Sequence, residues 1–137
     1  MKNKSIEING LSIFYREGGE QHKETILFLH GNPTSSHMYK ELMGLLEDQY
    51  HVIAPDYPGY GFSSRPAISK YEYSFDNISK TMDGFIDTLG LINFYLFVQD
   101  YGGPVGFRIA SRRPELIKGL IIQNANVYAE GFGEWAL

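Results

Sequence analysis

The sequence predicts an α/β fold with a mostly parallel sheet, an antiparallel hairpin at its N-terminus and helices on both faces. Short apolar runs alternate along the chain with longer segments whose apolar residues recur at helical spacing. Glycine, proline and asparagine stand between these segments, where turns are required. Because each helix between two parallel strands forms a right-handed crossover, this order of segments indicates a layered fold.

Length and composition are those of one globular domain. The chain has 137 residues, of which 43% are hydrophobic and 20% charged. A net charge of -4 offers no basic surface to nucleic acid, and the absence of cysteine excludes disulfides and thiolate metal sites. No apolar run is long enough for a membrane span or a signal peptide. We therefore expect a soluble, cytoplasmic protein with no nucleic-acid partner and no membrane partner.

The first predicted elements are a hairpin and a buried strand. Residues 6–8 and 11–15 are apolar-rich runs separated by Asn9-Gly10, a strong signal for a two-residue turn because both residues tolerate positive φ. The uninterrupted apolar run Thr25–Leu29 is typical of a strand that helices cover on both faces.

A helix, a strand and an irregular loop are predicted next. Ser35 and Ser36 are candidate caps of the helix. Its apolar stripe consists of Met38, Leu42, Leu45 and Leu46. Residues 52–54 then form another buried strand, and residues 56–64, rich in glycine, proline and serine, form the loop.

The remaining segments repeat the alternation of helix and strand. A second helix begins at Ser74 or Asp76 and ends at Gly90. Its apolar stripe consists of Ile78, Met82, Phe85, Ile86 and Leu89. Residues 94–98 are the next strand, and a third helix ending before Pro114 leads to a last strand at residues 120–122.

Asp100 is the strongest candidate for a catalytic residue. In an open parallel sheet the reactive groups lie beyond the carboxyl ends of the strands, and Asp100 stands between a buried strand and a helix. The small residues Gly102 and Gly103 allow a sharp strand-to-helix turn, which would lift one side chain above the sheet next to the amides of a helix N-terminus. An ordinary helix cap is the alternative interpretation of the same aspartate.

Three motifs in this order resemble the α/β-hydrolase fold family, most closely its aspartate-nucleophile branch of haloalkane dehalogenases and epoxide hydrolases. They are His30-Gly31-Asn32-Pro33, Asp56-Tyr57-Pro58-Gly59-Tyr60-Gly61-Phe62-Ser63 and Val98-Gln99-Asp100-Tyr101-Gly102-Gly103. The resemblance covers nearly the whole chain and identifies residues 1–137 with the N-terminal part of a single α/β-hydrolase domain.

The resemblance implies a two-step reaction without cofactor or metal. Asp100 would attack an electrophilic carbon and form an alkyl ester, since an aspartate is ionised near neutrality and needs no base. Hydrolysis of the ester requires a histidine and an oxyanion hole, for which the motif positions imply the backbone N–H groups of Asn32 and Tyr101. The same comparison implies that His30 is structural and orients its loop.

Asn32 favours carbon–halogen cleavage over epoxide opening. Haloalkane dehalogenases usually place asparagine after His-Gly, where the side-chain amide holds the departing halide, whereas epoxide hydrolases usually have an aromatic residue there. The chain departs from the dehalogenase pattern after the nucleophile, with Tyr101 in place of the usual tryptophan. We therefore expect Asn32 and Tyr101 to bind the halide of a small hydrophobic organic substrate.

The catalytic histidine of the family is not recognisable in this chain, because all histidines precede Asp100: His22, His30, His37 and His51. The family's acid is not recognisable either, because the stretch after the last predicted strand, Gln123-Asn124-Ala125-Asn126, has no carboxylate. We interpret the chain as the N-terminal half of a longer hydrolase. The C-terminal strands and most of the cap would lie beyond this half, and residues 127–137 would be the start of the cap. Uncovered sheet surface would then promote self-association.

Two alternatives to a haloalkane dehalogenase-like hydrolase are left open. An epoxide hydrolase would use the same nucleophile, so product analysis is needed to separate the two reactions. A non-catalytic module that binds a ligand in the hydrolase pocket would explain the missing histidine, although such a module has no chemical need for a carboxylate at position 100.

Overall fold

The computed structural model of the chain describes residues 1–128. Six strands form one sheet: β1 (Lys2–Ile8), β2 (Leu11–Gly18), β3 (Thr25–Leu29), β4 (His51–Pro55), β5 (Phe94–Asp100) and β6 (Ile117–Ala125). Three α-helices connect them: α1 (Lys40–Leu46), α2 (Phe75–Leu89) and α3 (Gly102–Arg112). Short 3-10 turns precede α1 and β6. The sequence assigns residues 127–137 to the start of a cap. Residues 129–137 of this segment lie outside the part of the chain that the structure describes.

The strand order β1-β2-β4-β3-β5-β6 confirms the predicted mixed sheet. The hairpin β1–β2 turns at Asn9 and Gly10, both with positive φ, and β2 then pairs antiparallel with β4. The strands β4, β3, β5 and β6 run parallel, as the helical crossovers predict. Because these four strands share one direction, their carboxyl ends meet at one edge of the sheet.

The sheet separates two apolar clusters. On one face, side chains such as Leu27 and Ile53 pack against α2 and α3. Four of the five predicted stripe residues of α2 are buried and Leu89 is half-buried; the buried four are Ile78, Met82, Phe85 and Ile86. On the other face, Phe28 and Val52 pack against Tyr39 of the 3-10 turn and Met43 of α1. Alternate residues of β3 thus enter opposite clusters, which confirms a strand buried on both faces.

Two of the four stripe residues predicted for the first helix, Leu42 and Leu46, pack against the apolar cluster on the α1 face of the sheet, and the other two are exposed. Met38 and Leu45 are 37% and 79% exposed, whereas Tyr39 and Met43 are buried. The segment starts as a 3-10 turn capped by Ser35, and this tighter turn rotates the following helix relative to a continuous α-helix. In addition, the Tyr39 hydroxyl donates a hydrogen bond of 2.8 Å to the Leu29 carbonyl, so its ring faces the sheet.

The outer strand β6 is much longer than the predicted segment 120–122 and is largely exposed. Its apolar centre consists of Leu120, Ile121 and Ile122, exposed at 44%, 41% and 54%. Within residues 1–128, β6 pairs with β5 alone. No helix in this part of the chain is long and apolar enough to cross a membrane.

Candidate active site

Asp100 lies at the sharp turn from β5 into α3. Its φ of 51° is a sparsely populated conformation for a residue with a side chain, and this conformation confirms the predicted strand-to-helix turn. The turn needs glycine on its far side, because a Cβ at Gly102 would overlap the Leu29 carbonyl oxygen. The half-buried carboxylate therefore sits at the N-terminal end of α3, where the helix dipole favours an anion.

The loop after β3 brings Asn32 to the Asp100 carboxylate. Leu29 of β3 pairs with Val98 of β5, so both loops leave the sheet side by side. The backbone N–H of Asn32 donates a hydrogen bond of 2.9 Å to Asp100 Oδ2. A Cβ at Gly31 would lie 2.8 Å from the Asp100 Cβ, so only glycine permits this approach. The structure thus joins two of the three residues singled out in the sequence.

His30 holds this loop from inside the protein. Its fully buried ring stacks on Tyr57 with ring centroids 3.9 Å apart. His30 Nδ1 bonds the Gly31 carbonyl at 2.8 Å, and the backbone N–H of Tyr57 donates to Nε2 at 3.2 Å. Burial lowers the pKa of His30 to about 4, so the ring is neutral and both nitrogens are engaged. These contacts are those of a structural residue.

Asp56 joins the loop after β3 to the loop after β4. This fully buried carboxylate accepts a 2.7 Å hydrogen bond from the Ser36 backbone and a 3.0 Å hydrogen bond from the Phe62 backbone. Ser63 closes the same loop by donating to the Asp56 carbonyl at 2.7 Å. The glycine-rich motif 56–63 is therefore a rigid scaffold beside the Asn32 loop.

Tyr101 directs its ring away from the sheet and towards α2. The ring lies edge-on to Phe75 with centroids 4.9 Å apart. It borders a cavity of about 430 Å³, here called the aromatic cavity, lined by Tyr60, Tyr73, Ser74, Phe75, Asp76, Ile78, Tyr101 and Arg108. Tyr101 is the N-cap of α3, and its backbone N–H lies at the helix N-terminus, where amides have no partner within the helix.

Tyr60 is a site residue that sequence analysis missed. Its hydroxyl donates a hydrogen bond of 3.1 Å to Asn32 Oδ1, and its ring lines the aromatic cavity. The available signal was its position after β4, because β4 is the neighbour of β3 and both loops leave the same edge of the sheet.

The four histidines occupy positions that do not serve Asp100. His51 lies at the amino end of β4, opposite the site, where its Nε2 bonds Glu17 Oε2 at 2.7 Å. His22 precedes β3 and contacts Gln21, and His37 is exposed in the 3-10 turn. Since His30 is fully engaged, the described residues hold no histidine positioned to activate water at Asp100.

Comparisons with known proteins agree with this geometry. An uncharacterized hydrolase of Saccharomyces cerevisiae is 44% identical over 126 residues, which cover 92% of this chain and 43% of that protein. A haloalkane dehalogenase of Bradyrhizobium diazoefficiens is 42% identical over 125 residues, covering 86% and 39%. The crystal structure of haloalkane dehalogenase DbeA from Bradyrhizobium elkani superimposes with a TM-score of 0.83 at 39% identity, covering 90% and 42%.

The chain thus spans less than half the length of each of these relatives. The family described as the alpha/beta hydrolase fold matches residues 24–137, which is most of the chain. The order of the strands in the sheet and the turn at Asp100 are consistent with this family match. The chain belongs to the alpha/beta hydrolase fold family.

Proposed function

We propose that the chain carries the nucleophile of a hydrolase that displaces halide from a haloalkane through an aspartyl alkyl-ester intermediate. One observation carries the proposal. The Asp100 carboxylate stands on a strained turn at the start of α3, with the Asn32 N–H 2.9 Å from its Oδ2. The dehalogenases among the relatives support the choice of substrate class.

In the first step, an Asp100 carboxylate oxygen attacks the carbon that bears the halogen. The new carbon–oxygen bond forms as the carbon–halogen bond breaks, and the halide leaves with the bonding electron pair. No proton is transferred. The Asn32 side-chain amide and Tyr101 are the proposed donors to the departing halide, because the Asn32 backbone contacts the Asp100 carboxylate and Tyr101 directly follows Asp100.

In the second step, water adds to the carbonyl carbon of the ester and the Asp100 carboxylate is regenerated. The backbone N–H groups of Asn32 and Tyr101 are the proposed oxyanion donors. This step also needs a general base to take a proton from the water. Since no described histidine is positioned for that task, we expect the ester to accumulate on this chain.

The aromatic cavity is the proposed substrate site. Four aromatic rings line it, Tyr60, Tyr73, Phe75 and Tyr101. Its volume of about 430 Å³ and its largely apolar lining suit a small hydrophobic organic molecule. Tyr60 and Tyr101 connect the cavity to the nucleophile, because the first contacts Asn32 and the second follows Asp100.

Intact-mass analysis after incubation with 1-bromobutane tests the proposal. We expect one butyl adduct, mapped to Asp100, with bromide release that matches the adduct in amount and then stops. The variant Asp100→Asn removes the adduct. The control Asp48→Asn, which is the same substitution at an exposed aspartate, retains the adduct. Adducts spread over several surface carboxylates, or an unchanged adduct in Asp100→Asn, would contradict the proposal.

A parallel incubation with 1,2-epoxybutane separates the alternative substrate class. An epoxide hydrolase would give a hydroxybutyl ester on Asp100 faster than the butyl ester, because the phenol groups near Asp100 would assist departure of the ring oxygen. A folded chain that binds these molecules but forms neither adduct is a non-catalytic binding module.

A further inference from the structure

The side chain of Asn32 has two chemically different ends, and the structure engages one of them. Its carbonyl oxygen Oδ1 accepts the hydrogen bond from the Tyr60 hydroxyl at 3.1 Å. Its backbone N–H is used separately, in the 2.9 Å contact to Asp100. The amide nitrogen Nδ2, which carries two hydrogens, is therefore the end that remains for a ligand.

The Tyr60 ring is held in place by buried neighbours. It packs against His30 with centroids 5.2 Å apart and edge-on against Tyr57 with centroids 5.7 Å apart. The backbone N–H of Tyr60 also donates to the Tyr57 carbonyl at 3.0 Å. Because His30 and Tyr57 are fully buried, the hydroxyl is presented to Asn32 from a rigid platform, although Asn32 itself is exposed.

The Tyr60 hydroxyl acts as a donor near neutrality. Burial raises the pKa of Tyr60, and the nearby Tyr101 and Asp100 raise it further. A protonated phenol can donate to Oδ1, whereas a phenolate would instead attract Nδ2 and reverse the amide. In the structure the phenol donates and Oδ1 accepts, so Nδ2 is turned away from Tyr60.

We propose that Tyr60 is a positioning residue that fixes the Asn32 amide with Nδ2 towards the leaving group. The inference rests on the proposed function, in which Asn32 holds the departing halide. A freely rotating amide would spend part of its time with Oδ1 towards the halide, where two electron-rich atoms repel each other. Tyr60 prevents this rotation and does not itself touch the reacting atoms.

Two measurements on the 137-residue chain test the role of Tyr60. The first follows the Asn32 side-chain amide signals by NMR during titration with sodium iodide. The second measures the rate of Asp100 alkylation by 1-bromobutane. We expect Tyr60→Phe, which keeps the ring, to weaken iodide binding and slow alkylation by about 3- to 10-fold, the usual effect of one lost hydrogen bond. The control Tyr71→Phe removes a hydroxyl that bonds Thr81 and leaves both values unchanged.

The decisive comparison is a double-mutant cycle with Asn32→Ala. If Tyr60 acts through the amide, Tyr60→Phe has no further effect on alkylation once Asn32 has lost its side chain. Equal effects in both backgrounds would show a general structural role and overturn the proposal. An amide spectrum that iodide does not change in the parent chain would also overturn it.

Failure of the proposed function gives a different result. In that case the parent chain forms no adduct on Asp100, while the iodide titration still reports on Asn32 and Tyr60. Folding of each variant is checked by near-ultraviolet circular dichroism, to which the Tyr57 and His30 environment contributes. A Tyr60→Phe chain that keeps the parent spectrum and the parent iodide affinity contradicts the positioning role directly.

Discussion

The strands β3 and β6 are both rich in apolar residues, yet the first is buried and the second is exposed. All five residues of β3 are buried, including Leu27 and Phe28, which are completely inaccessible. In β6, Ile121 and Ile122 are 41% and 54% exposed. The difference follows from strand order, because β3 lies between β4 and β5 under helices on both faces, whereas β6 is the outer strand of the sheet formed by residues 1–128. An apolar run therefore predicts a strand, but its neighbours decide its burial.

Truncating one side chain in each strand gives the largest expected contrast. Phe28→Ala should lower the free energy of unfolding by about 3–5 kcal/mol, because it removes a fully buried ring that packs against Tyr39 and Phe97. Ile122→Ala should cost about 0.5 kcal/mol or less, as is usual at an exposed position. Urea denaturation followed by circular dichroism measures both. Similar losses would show that β6 is covered in solution.

Acidification should act on the loop that follows β3. Burial lowers the pKa of His30 from 6.5 to about 4, so the unfolded chain binds more protons than the folded chain between these values. His30 therefore supports stability above pH 6.5, and this contribution, at most about 3 kcal/mol, is lost as the pH falls towards 4.

Melting curves between pH 7 and 5 check this expectation. His30→Asn should flatten the pH dependence, whereas His37→Asn, at an exposed position, should leave it as in the parent chain. Parallel pH profiles for the parent chain and His30→Asn would contradict the assignment.

We expect the β6 edge to make the chain associate with itself. Leu120, Ile121 and Ile122 present apolar side chains and an unpaired backbone edge within the described residues, and Lys118 is the one charged residue of the strand. Ile121→Lys should shift the chain towards monomer in analytical ultracentrifugation. Ile92→Lys, at another exposed isoleucine, should behave like the parent chain. A parent chain that is monomeric at its highest soluble concentration would refute this expectation.

The smallest effect is expected at the salt bridge that connects the two compared strands. Lys118 of β6 donates to both carboxylate oxygens of Glu24, just before β3, at 2.6 and 2.7 Å. Both side chains are more than 40% exposed, so water and salt screen the pair. Lys118→Ala should leave the melting temperature unchanged within error, and a clear decrease would show that this bridge fastens the outer strand.

The sequence was sufficient for most of the fold because local pattern and final environment agree. The Asn9-Gly10 turn, β3 and the stripe of α2 are determined by neighbouring residues and by periodicity. The stripe of the first helix is predicted correctly at Leu42 and Leu46 but not at Leu45, which is exposed because a 3-10 turn changes the helical phase. Such a change depends on tertiary contacts, here the Tyr39 hydroxyl on the Leu29 carbonyl, that periodicity does not contain.

The candidate site also contains one contact that the sequence predicts and one that it does not. The placement of Asp100 beside Asn32 followed from parallel strands whose ends share an edge, and the 2.9 Å contact agrees with it. The contact from Tyr60 depended on the path of an irregular loop held by Asp56, which no periodicity describes. The roles of Asp100, Asn32 and Tyr101 in catalysis remain predictions for the adduct experiment.

The crowding at Gly31 and Gly102 limits how the gene for this protein can vary. Every single-nucleotide change in a glycine codon that alters the amino acid adds a Cβ or ends the chain. At position 31 a Cβ meets Asp100, and at position 102 it meets the backbone of β3. The distance between the Asp100 carboxylate and the Asn32 backbone amide therefore depends on two codons that tolerate only silent change.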